Sequence, residues 1–168
     1  MTIHAGNPTY LILEQSSLNK CNGNCVSQLK NTGNDDISFR INSDKSVPEA
    51  SVIKEVNING DTFKIDMIDQ FSADEGVPFY EVEFSTDKKI KTQVYALKAT
   101  TGSAGTSFHY FVKDLNGKYR YSGMHPEIFL DEETNDLISM EKDGSNIHVT
   151  TWKISKSKFQ AIKSEVVR

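Results

Sequence analysis

The chain has 168 residues, of which 37% are hydrophobic and 25% are charged, and its formal net charge is -4. This length and composition predict a single globular domain over residues 1–168, with residues 1–9 as a loose lead-in. The acidic balance argues against nucleic acid as a partner, and no apolar run is long enough to insert into a membrane as a helix. The net charge favours a basic protein partner.

The first third of the chain predicts two strands separated by a loop. A first strand begins at Tyr10–Leu13, and Ile37–Ile41 alternates apolar and polar residues as a second strand. The intervening residues, Ser16–Asp36, are polar and rich in Asn and Gly, which predicts a loop.

One helix start is predicted at Ser46–Glu49. Ser46 suits the cap position, Glu49 suits its capping-box partner, and Pro48 is tolerated in a first helical turn. The apolar side chains at positions 52, 53 and 56 would then share one helical face. The alternative is a strand through Val52–Ile58.

The second half alternates short apolar and polar runs, with turn residues about every ten positions. Such alternation puts one set of side chains on a core face and the other in water, which is typical of half-buried antiparallel strands. We therefore expect a mainly β fold: an antiparallel meander that forms a sandwich, an open barrel or a propeller-like sheet, with at most one or two short helices. The segments are Phe79–Phe84, Gln93–Leu97, Ser107–Val112, Tyr119–Tyr121 and Asn146–Trp152.

Two Asn-Gly pairs predict hairpins, because a type I′ turn needs two residues that tolerate positive φ. The first is Asn59-Gly60, followed by the strand Phe63–Met67, and the second is Asn116-Gly117. The last apolar run, Phe159–Ile162, fits a strand and a terminal helix equally well.

Cys21 and Cys25 flank Asn-Gly-Asn, a linker that tolerates positive φ and lets the two sulfurs meet. The predicted disulfide would fix a local loop, because so small a ring removes little entropy from the unfolded chain. Free thiols and half of a zinc site are the alternatives, but the four histidines form no paired ligand pattern. A disulfide implies an oxidising compartment. The N-terminus shows no signal peptide, so a cytoplasmic protein and a mature form with a starting Met both remain open.

No pattern in the chain predicts catalysis, a metal or a cofactor. The acidic segment Asp131–Asp136 lacks the alternating ligands and the central Gly of a calcium loop. Ser103 or Ser107 with His109 would be a nucleophile and a base, but the chain has no Gly-x-Ser-x-Gly elbow. His125, which precedes Pro126, is predicted to be a loop residue with an ordinary pKa.

The segment from Tyr95 to Lys163 has a recognisable order of strands and loops. Its order is a strand, the Gly- and Ser-rich loop Thr101–Thr106, an aromatic strand, a Gly-Lys-Tyr turn, and Ile128–Ser139, followed by Thr151-Trp152-Lys153. It resembles a family of Gram-negative envelope β-proteins that includes periplasmic lysozyme inhibitors. It is also similar to immunity proteins that neutralise peptidoglycan-degrading effectors of the type VI secretion system.

The resemblance implies a periplasmic, non-enzymatic protein whose exposed loops block the cleft of a cell-wall hydrolase. The partner would be a secreted effector or a lysozyme-like enzyme. The alternative function is a non-enzymatic β-domain of the cell surface that binds a ligand. The positions that match the inhibitory loops are Gly102, Ser103, Ala104, Gly105 and Thr106, and also Ser122, Gly123, Met124 and His125.

Overall fold

The computed structural model describes residues 5–6, 11–12, 22–29, 35–66, 68–72, 76–85, 91–131 and 133–167. Every regular element among them is a β-strand, so the predicted mainly β fold is confirmed. The chain divides into two compact units, Ile12–Phe79 and a second unit made of Met1–Leu11 and Tyr80–Arg168. Whether both units unfold together as one domain stays a prediction.

The unit Ile12–Phe79 holds a four-stranded antiparallel sheet. Its side chains at alternate positions form the core of this unit, where the rings of Phe39 and Phe79 lie 5.0 Å apart in an edge-to-face contact. The Asn59-Gly60 hairpin is confirmed, since φ is 52° at Asn59 and 90° at Gly60. The strands, in the order β3-β4-β5-β6, are β3 (Gly23–Gln28), β4 (Ile37–Asp44), β5 (Val47–Ile58) and β6 (Asp61–Lys64).

The helix predicted to start at Ser46 is wrong, and the alternative strand is correct. Residues 45–46 form the turn between β4 and β5, and β5 continues without a helical segment to Ile58. The capping chemistry of Ser46 serves this turn instead, because its backbone N–H and its hydroxyl both donate to Asp44 Oδ1, at 2.9 and 2.7 Å.

The predicted loop Ser16–Asp36 contains a strand. Within the described residues, Gly23–Gln28 pairs with β4 as β3, so the loop prediction is wrong there. Val26 is exposed on β3, whereas Ser27 is buried. Cys21 lies outside the described residues, and the Cys21–Cys25 disulfide therefore stays a prediction.

Two five-stranded sheets lie in the second unit, except that the terminal strand residues Ile12 and Phe79 belong to the unit Ile12–Phe79. The first has the strand order β1-β11-β12-β13-β14, and the second has the order β10-β9-β8-β7-β2. All their described pairings are antiparallel. The strands are β1 (Ala5–Gly6), β2 (Leu11–Ile12), β7 (Phe79–Ser85), β8 (Lys91–Gly102), β9 (Gly105–Lys113), β10 (Tyr119–Pro126), β11 (Ile128–Asp131), β12 (Asp136–Asp143), β13 (Asn146–Ser155) and β14 (Lys158–Val167).

These two sheets pack face to face around one hydrophobic core, which makes this unit a β-sandwich. One sheet contributes Phe84, Ala96 and Tyr110, among others, and the other contributes Leu137 and Phe159. The Tyr110 hydroxyl accepts a 3.0 Å hydrogen bond from the Ile128 N–H, so a buried polar group also joins the layers.

Several local predictions are resolved in this unit. The last apolar run is a strand, β14, and the Asn116-Gly117 hairpin is confirmed with a five-residue turn, residues 114–118. Ala5–Gly6, inside the predicted loose lead-in, pairs with β11. The described part of the chain contains no helix that could span a membrane.

Candidate functional surfaces

The first candidate surface is the tip of the β8–β9 hairpin, Gly102–Thr106. The predicted exposure is confirmed for Gly102, Ser103, Ala104 and Gly105, whereas Thr106 is partly buried. The predicted loop, however, is mostly strand: β8 and β9 continue to Gly102 and Gly105, which pair directly, and only Ser103 and Ala104 form the turn. The tip is therefore narrow, and its only side chains are small.

Hydrogen bonds tie this tip to β12 and to Glu127, the residue between β10 and β11. The Ala104 carbonyl accepts from the Lys142 N–H of β12 at 3.2 Å, and the Thr106 carbonyl accepts from the Glu127 N–H at 3.1 Å. A Cβ atom built on Gly102 or Gly105 would meet no neighbour within 4 Å, so the space around the tip is open. The tip is thus an exposed but anchored projection.

The second predicted loop, Ser122–His125, is not a loop. It lies within β10, at a bulge between Tyr121 and Gly123, where φ of Gly123 is 96°. Ser122 is only 6% exposed, and its hydroxyl accepts a 2.7 Å hydrogen bond from the Phe159 N–H of β14. Ser122 therefore joins the two sheets of the sandwich and offers no free surface to a partner.

His125 is half-buried among aromatic rings, which corrects the prediction of an ordinary loop histidine. Its ring lies 4.8 Å from Trp152, 6.1 Å from Phe159 and 6.3 Å from Tyr110. Burial lowers the pKa of His125, and the hydrogen bond between Nε2 and the Ser122 carbonyl, 2.7 Å long, opposes this only in part. The neutral ring, donating from Nε2, is the form that this site favours.

The depressed pKa of His125 predicts that acid weakens the fold. Below the ordinary histidine pKa of 6.5, the unfolded chain binds a proton that the folded chain does not, so stability falls as the pH decreases. We expect the loss between about pH 7.5 and about pH 5.5 to reach no more than about 1 kcal/mol. Urea unfolding at the two pH values should show a smaller loss for His125→Gln than for the wild type. Equal losses would contradict this assignment.

The structure separates Ser103 from His109, one of the two serine–histidine pairs considered for catalysis. Ser103 lies at the exposed tip and His109 is buried six residues along β9, which corresponds to roughly 20 Å of extended strand. The Nδ1 atom of His109 bonds the Tyr121 hydroxyl at 2.8 Å. Among the described residues, no three His, Cys, Asp or Glu side chains are placed to hold a metal ion.

The third candidate surface, which the sequence did not single out, is a cleft of about 690 Å³ in the second unit. We call it the cationic cleft, because four basic side chains and one carboxylate line it in the described part of the chain. It lies between the β9–β10 turn and the β13–β14 turn, with the start of β8 as a third wall. Its residues are Thr92, Lys113, Asp114, Leu115, Asn116, Arg120, Ile154, Lys156, Ser157 and Lys158.

Lys153–Lys163 is a basic stretch of the sequence, and such a stretch is more often a solvated strand edge or turn than a binding patch. The sequence feature that could have pointed to the cleft is the turn Lys156-Ser157, since neither residue is the Asn or Gly that a tight hairpin favours. The other basic residues of the cleft come from β9 and β10, and only the folded sheet brings them together.

Comparisons with known proteins add no relative to this description. A scan against protein-family models matched none, and searches of curated proteins and of solved structures found no match. What the tip and the cationic cleft bind is therefore inferred from their own geometry and charge.

Proposed function

We propose that this protein is a non-enzymatic inhibitor or immunity protein that binds a peptidoglycan-degrading enzyme and blocks its active-site cleft. The observation that carries the proposal is the tip of the β8–β9 hairpin, where Ser103 and Ala104 project from two exposed strand ends. A two-residue turn of small side chains fits a narrow cleft, and its hydrogen bonds to the sheet limit the entropy lost on binding.

Charge supports the same proposal. The net charge of -4 would speed the encounter with a basic hydrolase through long-range attraction, an effect that salt screens. The proposed compartment is the periplasm, which also suits the predicted disulfide.

The proposed contact is limited to part of the residues that the resemblance implied. Gly102–Thr106 are accessible, whereas Ser122 is buried between the sheets and the His125 ring packs on Trp152. We therefore assign the inhibitory contact to the tip alone.

A titration against a panel of purified cell-wall hydrolases, amidases and muramidases included, tests this proposal. We expect one enzyme to form a stoichiometric complex in which peptidoglycan degradation stops. Ser103→Trp should weaken that complex at least about 30-fold, because a bulky ring at the tip would not enter the cleft. The matched control is Ser46→Trp, which places the same ring at an exposed turn of the other unit.

Two results would count against this function. If no hydrolase of the panel is bound and inhibited, the inhibitor proposal fails. If a hydrolase is inhibited but Ser103→Trp and Ser46→Trp bind it as the wild type does, inhibition stands and the tip is not the contact.

The second candidate function is a ligand-binding β-domain of the cell surface. The cationic cleft is the observation that favours it, because a concave site with several charged side chains suits a small ligand. The residues of the cleft are all different from those of the tip. The two functions can be tested separately, since their variants share no position.

A further inference from the structure

We propose that the cationic cleft binds a small ligand carrying two or more oxyanion groups, either phosphates or carboxylates. This inference names the ligand class of the second candidate function and does not depend on hydrolase binding. The cleft volume of about 690 Å³ suits a ligand of a few sugar or phosphate units.

The charge of the cleft opposes that of the whole chain. Among the described residues, Lys113, Arg120, Lys156 and Lys158 line it with Asp114 as the single carboxylate, in a protein whose net charge is -4. Like charges at one site repel each other, so such a cluster costs stability unless an anion neutralises it. Within the part of the chain that the structure describes, neither Lys156 nor Lys158 forms an ion pair.

The carboxylate of the cleft holds Arg120 in place. Asp114 Oδ2 accepts from Arg120 Nε at 3.3 Å, while Oδ1 accepts the N–H groups of Asn116 and Lys118, each at 2.9 Å. Asp114 thus binds the guanidinium through Nε, which leaves the terminal nitrogens for a second partner. A planar guanidinium oriented in this way suits bidentate contact with phosphate or carboxylate.

The backbone of the β13–β14 turn is strained at the cleft. Lys156 has φ 51° and Ser157 has φ 63°, so two residues with side chains occupy the left-handed region. The β5–β6 turn of the same chain places Asn59-Gly60 in these conformations, as an unstrained type I′ turn would. Residues with a strained backbone conformation tend to occur where function requires them. Here one of the two, Lys156, is positively charged and lines the cleft.

The described lining of the cleft also includes two apolar residues. Leu115, on the β9–β10 turn, is fully exposed, and Ile154, on β13, is partly buried and also lines the cleft. An apolar wall beside oxyanion-binding groups suits the carbon skeleton of a ligand such as an acidic sugar chain.

The decisive variant is Lys156→Asn with Ser157→Gly, because strain and binding then change in opposite directions. Relief of the left-handed strain should raise the thermal unfolding midpoint, while loss of the Lys156 charge should weaken binding at least tenfold. The matched control is Lys142→Asn, which removes an exposed lysine from β12, outside the cleft.

Calorimetric titrations at low salt would use tripolyphosphate and trigalacturonate as probes. Saturable one-to-one binding of either probe, lost in the double variant and kept in Lys142→Asn, supports the inference, and the preferred probe identifies phosphate or carboxylate as the group. No saturable binding of either probe would overturn it, as would equal weakening in Lys142→Asn, which would show unspecific attraction. The hydrolase titration is scored separately, so either proposal can fail alone.

Discussion

Replacing Phe159 with alanine is expected to lower the free energy of unfolding of the β-sandwich by about 3–5 kcal/mol. Phe159 is buried on β14, and its ring lies 5.0 Å from Tyr110 and 5.8 Å from Phe84, both in edge-to-face contacts with strands of the opposite sheet. Truncation removes the aromatic contacts and leaves a cavity that two paired sheets cannot close by collapsing.

Trp152 provides the measurement, since it is the only tryptophan and its indole N–H donates to the buried Ser139 at 2.8 Å. Urea unfolding followed by its fluorescence reports on the unit that contains Phe159. The control on the same strand is Ile162→Ala, where the side chain is 57% exposed and the change should stay within about 0.5 kcal/mol. A loss below about 1 kcal/mol for Phe159→Ala would show that this ring does not hold the sheets together.

Ser122→Ala is expected to cost about 1–3 kcal/mol, because the substitution removes the hydroxyl that accepts from the buried Phe159 N–H. The bond is 2.7 Å long and joins β10 to β14, the outer strands of the two sheets. An amide buried without an acceptor has lost its hydrogen bond to water, and no hydrogen bond within the protein replaces it.

Hydrogen exchange distinguishes this cause from a general loosening. The Phe159 amide should exchange much faster in Ser122→Ala, beyond the acceleration that the lower stability gives every amide. Ser164→Ala is the matched control, since Ser164 is exposed and its only described side-chain bond is a 3.4 Å contact with Thr150. Loss of stability with normal protection of the Phe159 amide would contradict the proposed role of Ser122.

The sequence predicted the strand content and failed where a bulge changed the period. At β5, Arg40 pairs with Glu55 and Ile41 with Ile53, so Lys54 is an extra residue. The extra residue shifts the alternation by one, and Ile53 and Val56, three positions apart, both face the core. Three-residue spacing of apolar side chains is also the mark of a helix face, which is why the helix was predicted.

Other errors arose where the backbone, and not the side chains, forms the structure. Gly102 and Gly105 pair across the hairpin although neither carries a side chain that favours a strand. In β3 the apolar Val26 is exposed and the polar Ser27 is buried, so the hydrophobicity of these residues does not indicate which side of the strand faces the core. Strand pairing depends on the surrounding sheet, so the β-propensity of a single residue does not decide it.

The tip and the cationic cleft differ in whether their residues are neighbours in the sequence. The small residues of the tip are contiguous in the chain, so the sequence could identify their exposure. The cationic cleft gathers Lys113, Arg120 and Lys156 from separate strands and turns, and their proximity depends on how the two sheets of the sandwich stack. The sequence therefore predicted the exposed tip but not the cationic cleft.

The bulge in β14 has a consequence for the behaviour of this protein at high concentration. Among the described residues, β14 pairs on one side only, and its register shifts at Ile162, between Lys163 and Ala161. A long straight border of unpaired amides and carbonyls would recruit strands from other molecules and begin a fibril. The register shift at Ile162 and the neighbouring charge of Lys163 make that border a poor template for such pairing.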